Sequence, residues 1–249
     1  MPRSAINLYS VRELDEPMAD VLDRVAAAGY DGVQFSGGLR DATPAEAAAK
    51  LDEHDLDPAP VHVGADDLEQ ELSGTLETYR DTIGCGGAVI SSLPEEAFET
   101  AAAVDETADR LTALASDLAA EDWTLGYHNH DREFDDVGGE TALARFLDNS
   151  EGVGVELDVG WALVGGTDPV EFIERYGDRI DVLHMKDMDV DAGPRGDYRE
   201  LGEGDVDLEA VTDAGRAAGV EWFIYEHDMP EDPAASIDTG GAVLSDLLD

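Results

Sequence analysis

The stretch Trp123-Thr124-Leu125-Gly126-Tyr127-His128 decides the fold, because a short apolar run ends there on a histidine. Three later runs end in the same way on a reactive side chain: Val153–Leu157 before Asp158, Ile180–Leu183 before His184, and Trp222–Tyr225 before Glu226. Short apolar runs separated by helical patterns are typical of buried parallel strands. The sequence therefore predicts that two imidazoles and two carboxylates meet at one rim of a sheet, as ligands for a divalent metal ion.

The same pattern extends upstream of this stretch. Four further apolar runs are Ala5–Tyr9, Gly32–Phe35, Pro60–Val63 and Ala88–Ser91, which makes eight in all. Helix-start signals lie between the runs, at Pro17, Thr43-Pro44 and Asp168-Pro169. There is no linker or low-complexity tract. We therefore expect residues 1–249 to form one α/β domain, a single (β/α)8 TIM barrel.

Composition restricts the class of protein further. The 249 residues include no stretch of about 20 apolar residues that could span a membrane. The start of the chain leads directly into a strand pattern without the apolar segment of a secretory signal. The single cysteine, Cys85, cannot form an internal disulfide. These observations predict a cytoplasmic protein with no membrane partner.

The net charge of -44 comes from 59 acidic and 15 basic residues, of which only Lys50 and Lys186 are lysines. Disorder does not account for it, because 43% of the residues are hydrophobic and regularly spaced. Salt at 1 M shortens the Debye length to ~3 Å and screens such self-repulsion. We therefore expect a halophilic protein that does not bind nucleic acid, since phosphate binding requires basic patches.

Five of the six histidines fall at or just after a predicted strand end: His62, His128, His130, His184 and His227. The spacing from His128 to Asp158 to His184 is about one βα unit per step, so the ligands come from neighbouring strands. The longer step to Glu226 contains the irregular segment 187–205, which is interpreted as a lid or substrate loop, or alternatively as a surface insertion.

Five segments resemble the sugar phosphate isomerase/epimerase family, within the xylose-isomerase-like barrel superfamily. In chain order they are Gly126–Phe134, Glu156–Trp161, His184–Asp187, Leu201–Asp207 and Glu226–Asp228. That superfamily also contains inosose dehydratases, ketose 3-epimerases and endonuclease IV. The resemblance implies the barrel fold and a divalent metal ion, with Mn²⁺ expected first and Mg²⁺, Co²⁺ or Zn²⁺ as options.

The resemblance also implies a ligand set. Asp158, His184 and Glu226 match ligands of the family. Epimerases of the family end the fifth strand with glutamate, and here that position holds His128. Glu133, in the following loop, is the alternative fourth ligand, so the family's two-glutamate proton relay is not reproduced residue by residue.

Other residues are candidates for contact with the substrate. Lys186 follows His184 by two residues and shares its inward face, where it would stabilise a substrate oxygen or instead form a salt bridge to Asp158 or Glu156. Glu156 is interpreted as a buried network residue below Asp158. The remaining predicted pocket residues are Asn7, Gln34, His62, Trp161 and His227.

The function predicted is a metal-dependent isomerase or epimerase of a sugar or sugar derivative, which abstracts a proton beside a carbonyl through an ene-diolate. Glu226 is the preferred base, with Lys186, His130 and Glu133 as further catalytic candidates. A lyase acting on a keto-inositol or 3-keto sugar is the alternative. A non-catalytic sugar binder and an endonuclease IV-like phosphoesterase are minor alternatives. The partner is a small carbohydrate, and a homodimer is left open.

Overall fold

The computed structural model describes residues 2–193 and 195–249. The strands in these ranges are β1 (Arg3–Asn7), β2 (Gly32–Gln34), β3 (Asp57–Pro58), β4 (Val61–Val63), β5 (Gly87–Ile90), β6 (Thr124–His128), β7 (Val153–Asp158), β8 (Ile180–Met185), β9 (Asp187–Asp189), β10 (Asp197–Arg199) and β11 (Trp222–Tyr225). Nine of them form one parallel sheet in the order β3-β2-β1-β11-β8-β7-β6-β5-β4.

The sheet closes because β3 and β4 are two halves of one interrupted strand. β3 pairs with β2, and β4 pairs with β5. Between β3 and β4, the amide of Ala59 donates to the carbonyl of Val33 at 2.9 Å. Within β4, the amide of His62 donates to the carbonyl of Phe35 at 2.9 Å. The predicted eight-stranded parallel barrel is therefore confirmed, with its third strand broken in the middle.

Helices surround the barrel and alternate with its strands. They are α1 (Met18–Ala27), α2 (Pro44–His54), α3 (Ala65–Gln70), α4 (Leu72–Thr75), α5 (Ala101–Ala119), α6 (Ala142–Asn149), α7 (Val159–Val164), α8 (Pro169–Tyr176), α9 (Leu208–Ala218) and α10 (Pro233–Leu248). Thr43 caps α2 and Asp168 caps α8 through side-chain oxygens that accept backbone amides, as their sequence signals predict. Within the described ranges, no helix is both long and apolar enough to cross a bilayer.

The interior of the barrel has an apolar floor and a polar layer above it. Ala5, Ala59, Val182, Trp222 and Ile224 form the floor as a separate buried cluster. Two residues further along a strand, the inward position becomes polar, so that Val182 is followed by His184 and Ile224 by Glu226. The period of two therefore places the candidate ligands in one layer at the carboxyl ends of the strands.

The segment 187–205 is more ordered than its composition suggests. β9 and β10 pair antiparallel, so the segment predicted to be irregular contains a β-hairpin. Its base is tied to Asp187, whose carboxylate accepts the amides of Gly202 and Gly204 at 2.9 Å each and that of Val206 at 3.1 Å. A Cβ at Gly204 would lie 2.2 Å from the Asp187 carboxylate oxygen, so only glycine fits there.

Candidate metal centre and substrate cavity

The four residues that end successive apolar runs are brought together by the barrel. His128 ends β6, Asp158 ends β7, His184 lies near the end of β8, and Glu226 directly follows β11. One potential ligand atom from each lies within 4.8 Å of all the others, and all four residues are buried. We call this group the outer cluster. Parallel strands whose carboxyl ends meet at one rim account for it.

The donor atoms of the outer cluster suit a divalent cation. His184 Nδ1 lies 3.0 Å from Glu226 Oε2, and His128 Nε2 lies 3.9 Å from Asp158 Oδ2. Asp158 Oδ1 accepts the Trp161 amide at 2.8 Å, whereas the buried Oδ2 accepts no hydrogen bond of good geometry from the described residues and pairs with the Lys186 ammonium. The donor set of two imidazoles and two carboxylates fits an ion with mixed nitrogen and oxygen ligation.

Lys186 lies against the same carboxylates. Its Nζ is 2.8 Å from Asp158 Oδ2, 2.9 Å from Glu226 Oε2 and 3.1 Å from Asp228 Oδ2. The salt bridge to Asp158 that the sequence left open is therefore present, whereas none to Glu156 is observed among the described contacts. Although burial alone would lower it, these carboxylates hold the pKa of Lys186 well above its ordinary value. Lys186 is therefore protonated at neutral pH in this arrangement.

A second group, the inner cluster, lies one layer deeper. It consists of His62, His128, Glu156 and His184, and it shares two histidines with the outer cluster. The Glu156 carboxylate contacts His62 Nε2, His128 Nδ1 at 3.0 Å and His184 Nε2 at 2.9 Å. A bulge in the pairing of β7 with β8 lies between Val155 and Glu156. Glu156 is therefore the hub of a buried network directly beneath the candidate ligands.

Burial and charge shift the pKa values of the cluster in opposite directions. Burial lowers the pKa of His128 to about 3. Burial would lower the pKa of His184 too, but the flanking carboxylates of Glu156 and Glu226 raise it to about 10. Burial raises the pKa of Asp158 to about 6 in spite of Lys186. Without an ion, the cluster therefore keeps positive charge on His184 and Lys186, which an incoming cation would have to displace or share.

Glu133 does not join the outer cluster. Its Oε1 accepts from the Tyr127 hydroxyl at 2.7 Å and from Arg132 Nε at 3.1 Å, and its Oε2 accepts the His130 amide at 2.8 Å. Both oxygens are thus engaged, and the side chain is fully buried. In this arrangement Glu133 holds the turn after β6, and His128 occupies the fourth position around the candidate ion site.

A cavity of about 400 Å³ opens above the outer cluster. Of the residues predicted to contact substrate, the lining includes His62, His130, Trp161, Lys186 and Glu226. His130 Nδ1 and Trp161 Nε1 are buried and have no hydrogen-bond partner among the described residues. The cavity lining therefore includes two residues with an unsatisfied polar atom beside the buried Lys186 ammonium, which is a suitable setting for a polar ligand.

Three predicted pocket residues lie elsewhere. Asn7 and Gln34 are fully buried beneath the cavity, where Asn7 Nδ2 donates to Gln34 Oε1 at 2.6 Å. His227 lies beside a neighbouring cavity with Glu200 and Asp232, rather than in the wall above the outer cluster. The alternation along a strand predicts which side chains point into the barrel. It does not predict how deep they lie along the barrel axis, and this depth decides whether a residue joins the buried network or lines the cavity.

The hairpin loop contributes residues that the sequence did not single out. Arg195 and Tyr198 line the cavity. Arg195 forms two hydrogen bonds to the Asp131 carboxylate, at 2.7 and 2.9 Å, and its guanidinium lies 4.9 Å from the Trp161 ring centroid. The sequence indicated only that this segment follows the strand that carries His184 and could therefore reach the cavity. No short-range pattern in the sequence indicates which of its residues points inward.

The sequence and the fold both match known proteins. A profile described as xylose isomerase-like TIM barrel matches residues 22–247. Inosose dehydratase of Geobacillus kaustophilus (strain HTA426) is 28% identical over 189 residues, which are 68% of this chain and 61% of that protein. The matched region thus spans less than two thirds of this relative.

Solved structures share the fold at low sequence identity. A sugar phosphate isomerase/epimerase from Parabacteroides distasonis ATCC 8503 superposes with a TM-score of 0.81 at 21% identity, covering 98% of this chain and 94% of that chain. The IOLI protein with a bound zinc atom superposes with a TM-score of 0.77 at 18% identity, covering 99% and 98% of the two chains. At such identities these likenesses establish the fold alone.

Proposed function

Because the chain belongs to the xylose isomerase-like TIM barrel family, we propose that it is a divalent-metal-dependent isomerase or epimerase of a sugar or sugar derivative. The observation that carries this proposal is the outer cluster of two imidazoles and two carboxylates at the floor of the cavity. The chemistry proposed is removal of a proton from a carbon beside a carbonyl, with return of the proton at another position or on the other face.

A divalent ion held by His128, Asp158, His184 and Glu226 would supply positive charge to stabilise the ene-diolate oxygens that form when this proton leaves. The mixed nitrogen and oxygen donors suit Mn²⁺, Co²⁺ or Zn²⁺ better than Ca²⁺. The zinc atom of the IOLI protein makes Zn²⁺ the first ion to compare with Mn²⁺.

Glu226 is the proposed proton acceptor. Its Oε2 contacts His184 and Lys186, while its Oε1 has no hydrogen bond among the described contacts, and the residue lines the cavity. Burial alone would raise its pKa, but Lys186 and His184 hold it well below its ordinary value. The carboxylate therefore stays ionised and can accept a proton through Oε1.

His130 is the proposed second proton-transfer group. Burial lowers the pKa of its imidazole, so the ring is neutral at pH 7, and its Nδ1 has no partner among the residues that the structure describes. The strands that lead to His130 and Glu226 are separated by β7 and β8 in the sheet order. Two proton-transfer groups on separate parts of the cavity wall suit a reaction that removes a proton at one position and returns it at another.

Lys186 is proposed to bind a substrate oxygen. Its ammonium lines the cavity and keeps its charge, since three carboxylates raise its pKa. A fixed cation beside the reacting carbonyl stabilises the negative charge that develops on oxygen when the proton is removed.

A dehydratase is the second candidate, and the similarity to an inosose dehydratase favours it. In that reaction the same proton is removed, and a hydroxyl on the next carbon leaves as water instead of the proton returning. His130 would protonate this leaving oxygen after it has itself taken up a proton. The alternative substrates are a keto-inositol or a 3-keto sugar, which both carry the required carbonyl and hydroxyl.

Metal analysis and turnover in D₂O test the proposal. We expect about one equivalent of Mn²⁺ or Zn²⁺ per chain, and loss of tight binding and turnover in Asp158→Ala. Ketoses, keto-inositols and 3-keto sugars should be screened with the loaded protein in molar KCl. Deuterium at an inverted or isomerised carbon would identify the isomerase or epimerase, and loss of water would identify the dehydratase. A protein that binds no ion stoichiometrically would contradict the metal-dependent proposal.

A further inference from the structure

The inner and outer clusters share His128 and His184, and the structure shows which ring nitrogen of each histidine faces which cluster. An imidazole has two ring nitrogens, and in its neutral form one carries a proton while the other offers a lone pair. His184 presents Nδ1 to the outer cluster and Nε2 to the inner one, whereas His128 presents Nε2 to the outer and Nδ1 to the inner. The position of each proton therefore decides where an ion can bind.

The proton on His184 is located by a backbone carbonyl. The Pro60 carbonyl can only accept, and Gln34 Nε2 donates to it at 2.8 Å, which fixes the orientation of the Gln34 amide. Gln34 Oε1 is therefore an acceptor, and it lies 2.7 Å from His184 Nε2. His184 Nε2 must carry a proton, so the nitrogen that can give up its proton to an ion is Nδ1.

The proton on His62 is located in the same way from a backbone amide. The Tyr9 amide donates to Asn7 Oδ1 at 2.7 Å, so Asn7 Nδ2 is a donor. Asn7 Nδ2 lies 3.4 Å from His62 Nδ1, which therefore accepts. His62 Nε2 then carries the proton and donates to Glu156.

Glu156 completes the assignment. The ionised carboxylate can only accept, and it lies 3.0 Å from His128 Nδ1, which must donate. It also accepts from Gln34 Nε2 through its second oxygen. Every nitrogen that His62, His128 and His184 direct at the inner cluster is thus a proton donor, and none offers a lone pair to an ion.

From these contacts we propose that Glu156 is a positioning residue that holds His128 and His184 in the tautomers required by the outer cluster. The inner cluster is then a hydrogen-bond network and not a second ion site. Carboxylates that accept the distal N–H of a ligating histidine fix the ring and increase its basicity. Here the Glu156 carboxylate accepts the Nδ1–H of His128 and lies 2.9 Å from His184 Nε2, whose proton is donated to Gln34 Oε1, so one carboxylate contacts two candidate ligands at once. This inference rests on the proposed function, in that the outer cluster must bind a divalent ion.

Nitrogen-15 NMR of histidine-labelled protein loaded with Zn²⁺ tests the tautomers directly. We expect His184 bound through Nδ1 with a proton on Nε2, His128 bound through Nε2 with a proton on Nδ1, and His62 not bound. Zn²⁺ bound through His62, or through the opposite nitrogens of His128 and His184, would overturn the inference while the metal-dependent function stood. Absence of Zn²⁺ binding would overturn both.

The variant Glu156→Gln tests the positioning role. Its amide NH₂ must face either the three histidine nitrogens that contact Oε1 or the Gln34 donor that contacts Oε2, so a donor meets a donor and at least one hydrogen bond of the inner cluster is lost whichever way the amide turns. We expect the Kd for Zn²⁺ to rise by about 10- to 100-fold, the usual effect of removing such a partner. The visible absorption of the Co²⁺-loaded form should also change, which a general loss of stability would not produce.

Tyr127→Phe is the matched control, because it removes a buried hydrogen bond to Glu133 one residue from His128 without touching the inner cluster. It should leave both the Kd and the Co²⁺ spectrum unchanged. Equal effects of the two substitutions, or none in a folded Glu156→Gln protein, would overturn the positioning role. Should Glu156→Gln not fold, the NMR experiment on the unmodified protein decides the question.

Discussion

The Lys186 ammonium lies 2.8 Å from Asp158 Oδ2, so it forms an ion pair with a carboxylate that is also a proposed metal ligand. The same ammonium contacts Glu226 at 2.9 Å and Asp228 at 3.1 Å. Asp228 is outside the outer cluster and can retain the lysine when the other two carboxylates share their charge with an ion. The lysine thus balances buried charge in this arrangement, and under the proposed function it would remain beside the substrate when an ion is bound.

Substitution of Lys186 should separate these two roles. In Lys186→Met, Asp158 and Glu226 lose their cationic partner, and we expect the metal-free protein to lose about 3–5 kcal/mol of stability, as for other broken buried ion pairs. Metal content should be retained, while turnover falls. Thermal unfolding with and without Zn²⁺ measures this, and a larger stabilisation by Zn²⁺ than in the unmodified protein is expected. Unchanged turnover would exclude Lys186 from substrate binding.

The fourth ligand can be identified by two single substitutions. His128→Ala should weaken metal binding, because it removes an imidazole from the outer cluster. Glu133→Ala should leave metal binding nearly unchanged, because Tyr127, Arg132 and the His130 amide already engage its carboxylate. Chelator competition measures both affinities. The reverse result would show that Glu133 swings in as the ligand that the sequence left open.

If Glu226 abstracts the proton, its substitution should slow the exchange of substrate hydrogen with solvent deuterium. Glu226→Gln removes the proposed base, and exchange of the substrate's α-hydrogen with D₂O should slow by ~10² or more. The measurement is proton NMR of the substrate during incubation, at a metal concentration that keeps the variant loaded. His130→Gln is the companion variant, and it should slow product formation more than the initial exchange. Exchange that survives Glu226→Gln at the full rate would assign the base elsewhere.

The buried thiol of Cys85 predicts how the stability of the fold and the reactivity of the thiol depend on pH. Burial raises the pKa of the Cys85 thiol to about 12, whereas an unfolded chain ionises near ~8.5. A group whose folded pKa is raised stabilises the fold fully below the unfolded pKa, and this stabilisation is lost as the pH rises from about 8.5 towards 12. The native protein should therefore not react with a thiol reagent at pH 8, while one thiol reacts in urea. Rapid native labelling would contradict the burial.

Salt dependence tests the interpretation of the charge. The chain has 59 acidic and only 15 basic residues, so the carboxylates repel each other strongly when low ionic strength leaves this repulsion unscreened. We expect loss of cooperative structure below about 0.3 M KCl and recovery above ~1–2 M, where the Debye length falls to a few ångström. Circular dichroism melts across a KCl series measure this. A melting temperature that is flat from ~0.1 to ~3 M would remove the reason to regard the protein as halophilic.

The barrel and the composition of the outer cluster were predictable because both depend on local periodicity. Apolar runs that end on His128, Asp158, His184 and Glu226 place these residues at the ends of parallel strands, whatever the details of packing. The hairpin within 187–205 was missed, because Asp187 and glycine amides 15 and 17 residues away stabilise it without an apolar pattern. Arg195 was missed for the same reason, since its partners Asp131 and Trp161 lie on other elements.

The sequence by itself determined which residues share the rim of the barrel, since strand alternation and the βα repeat are properties of short stretches of chain. Only the tertiary structure decided what each of them does there. The Pro60 carbonyl orients Gln34, Gln34 accepts the N–H of His184, and Glu156 accepts those of His62 and His128, although these residues are up to 150 positions apart. Hydrogen-bond direction depends on distance and angle between such remote groups, and therefore only the folded barrel specifies which histidine nitrogens face the candidate ion.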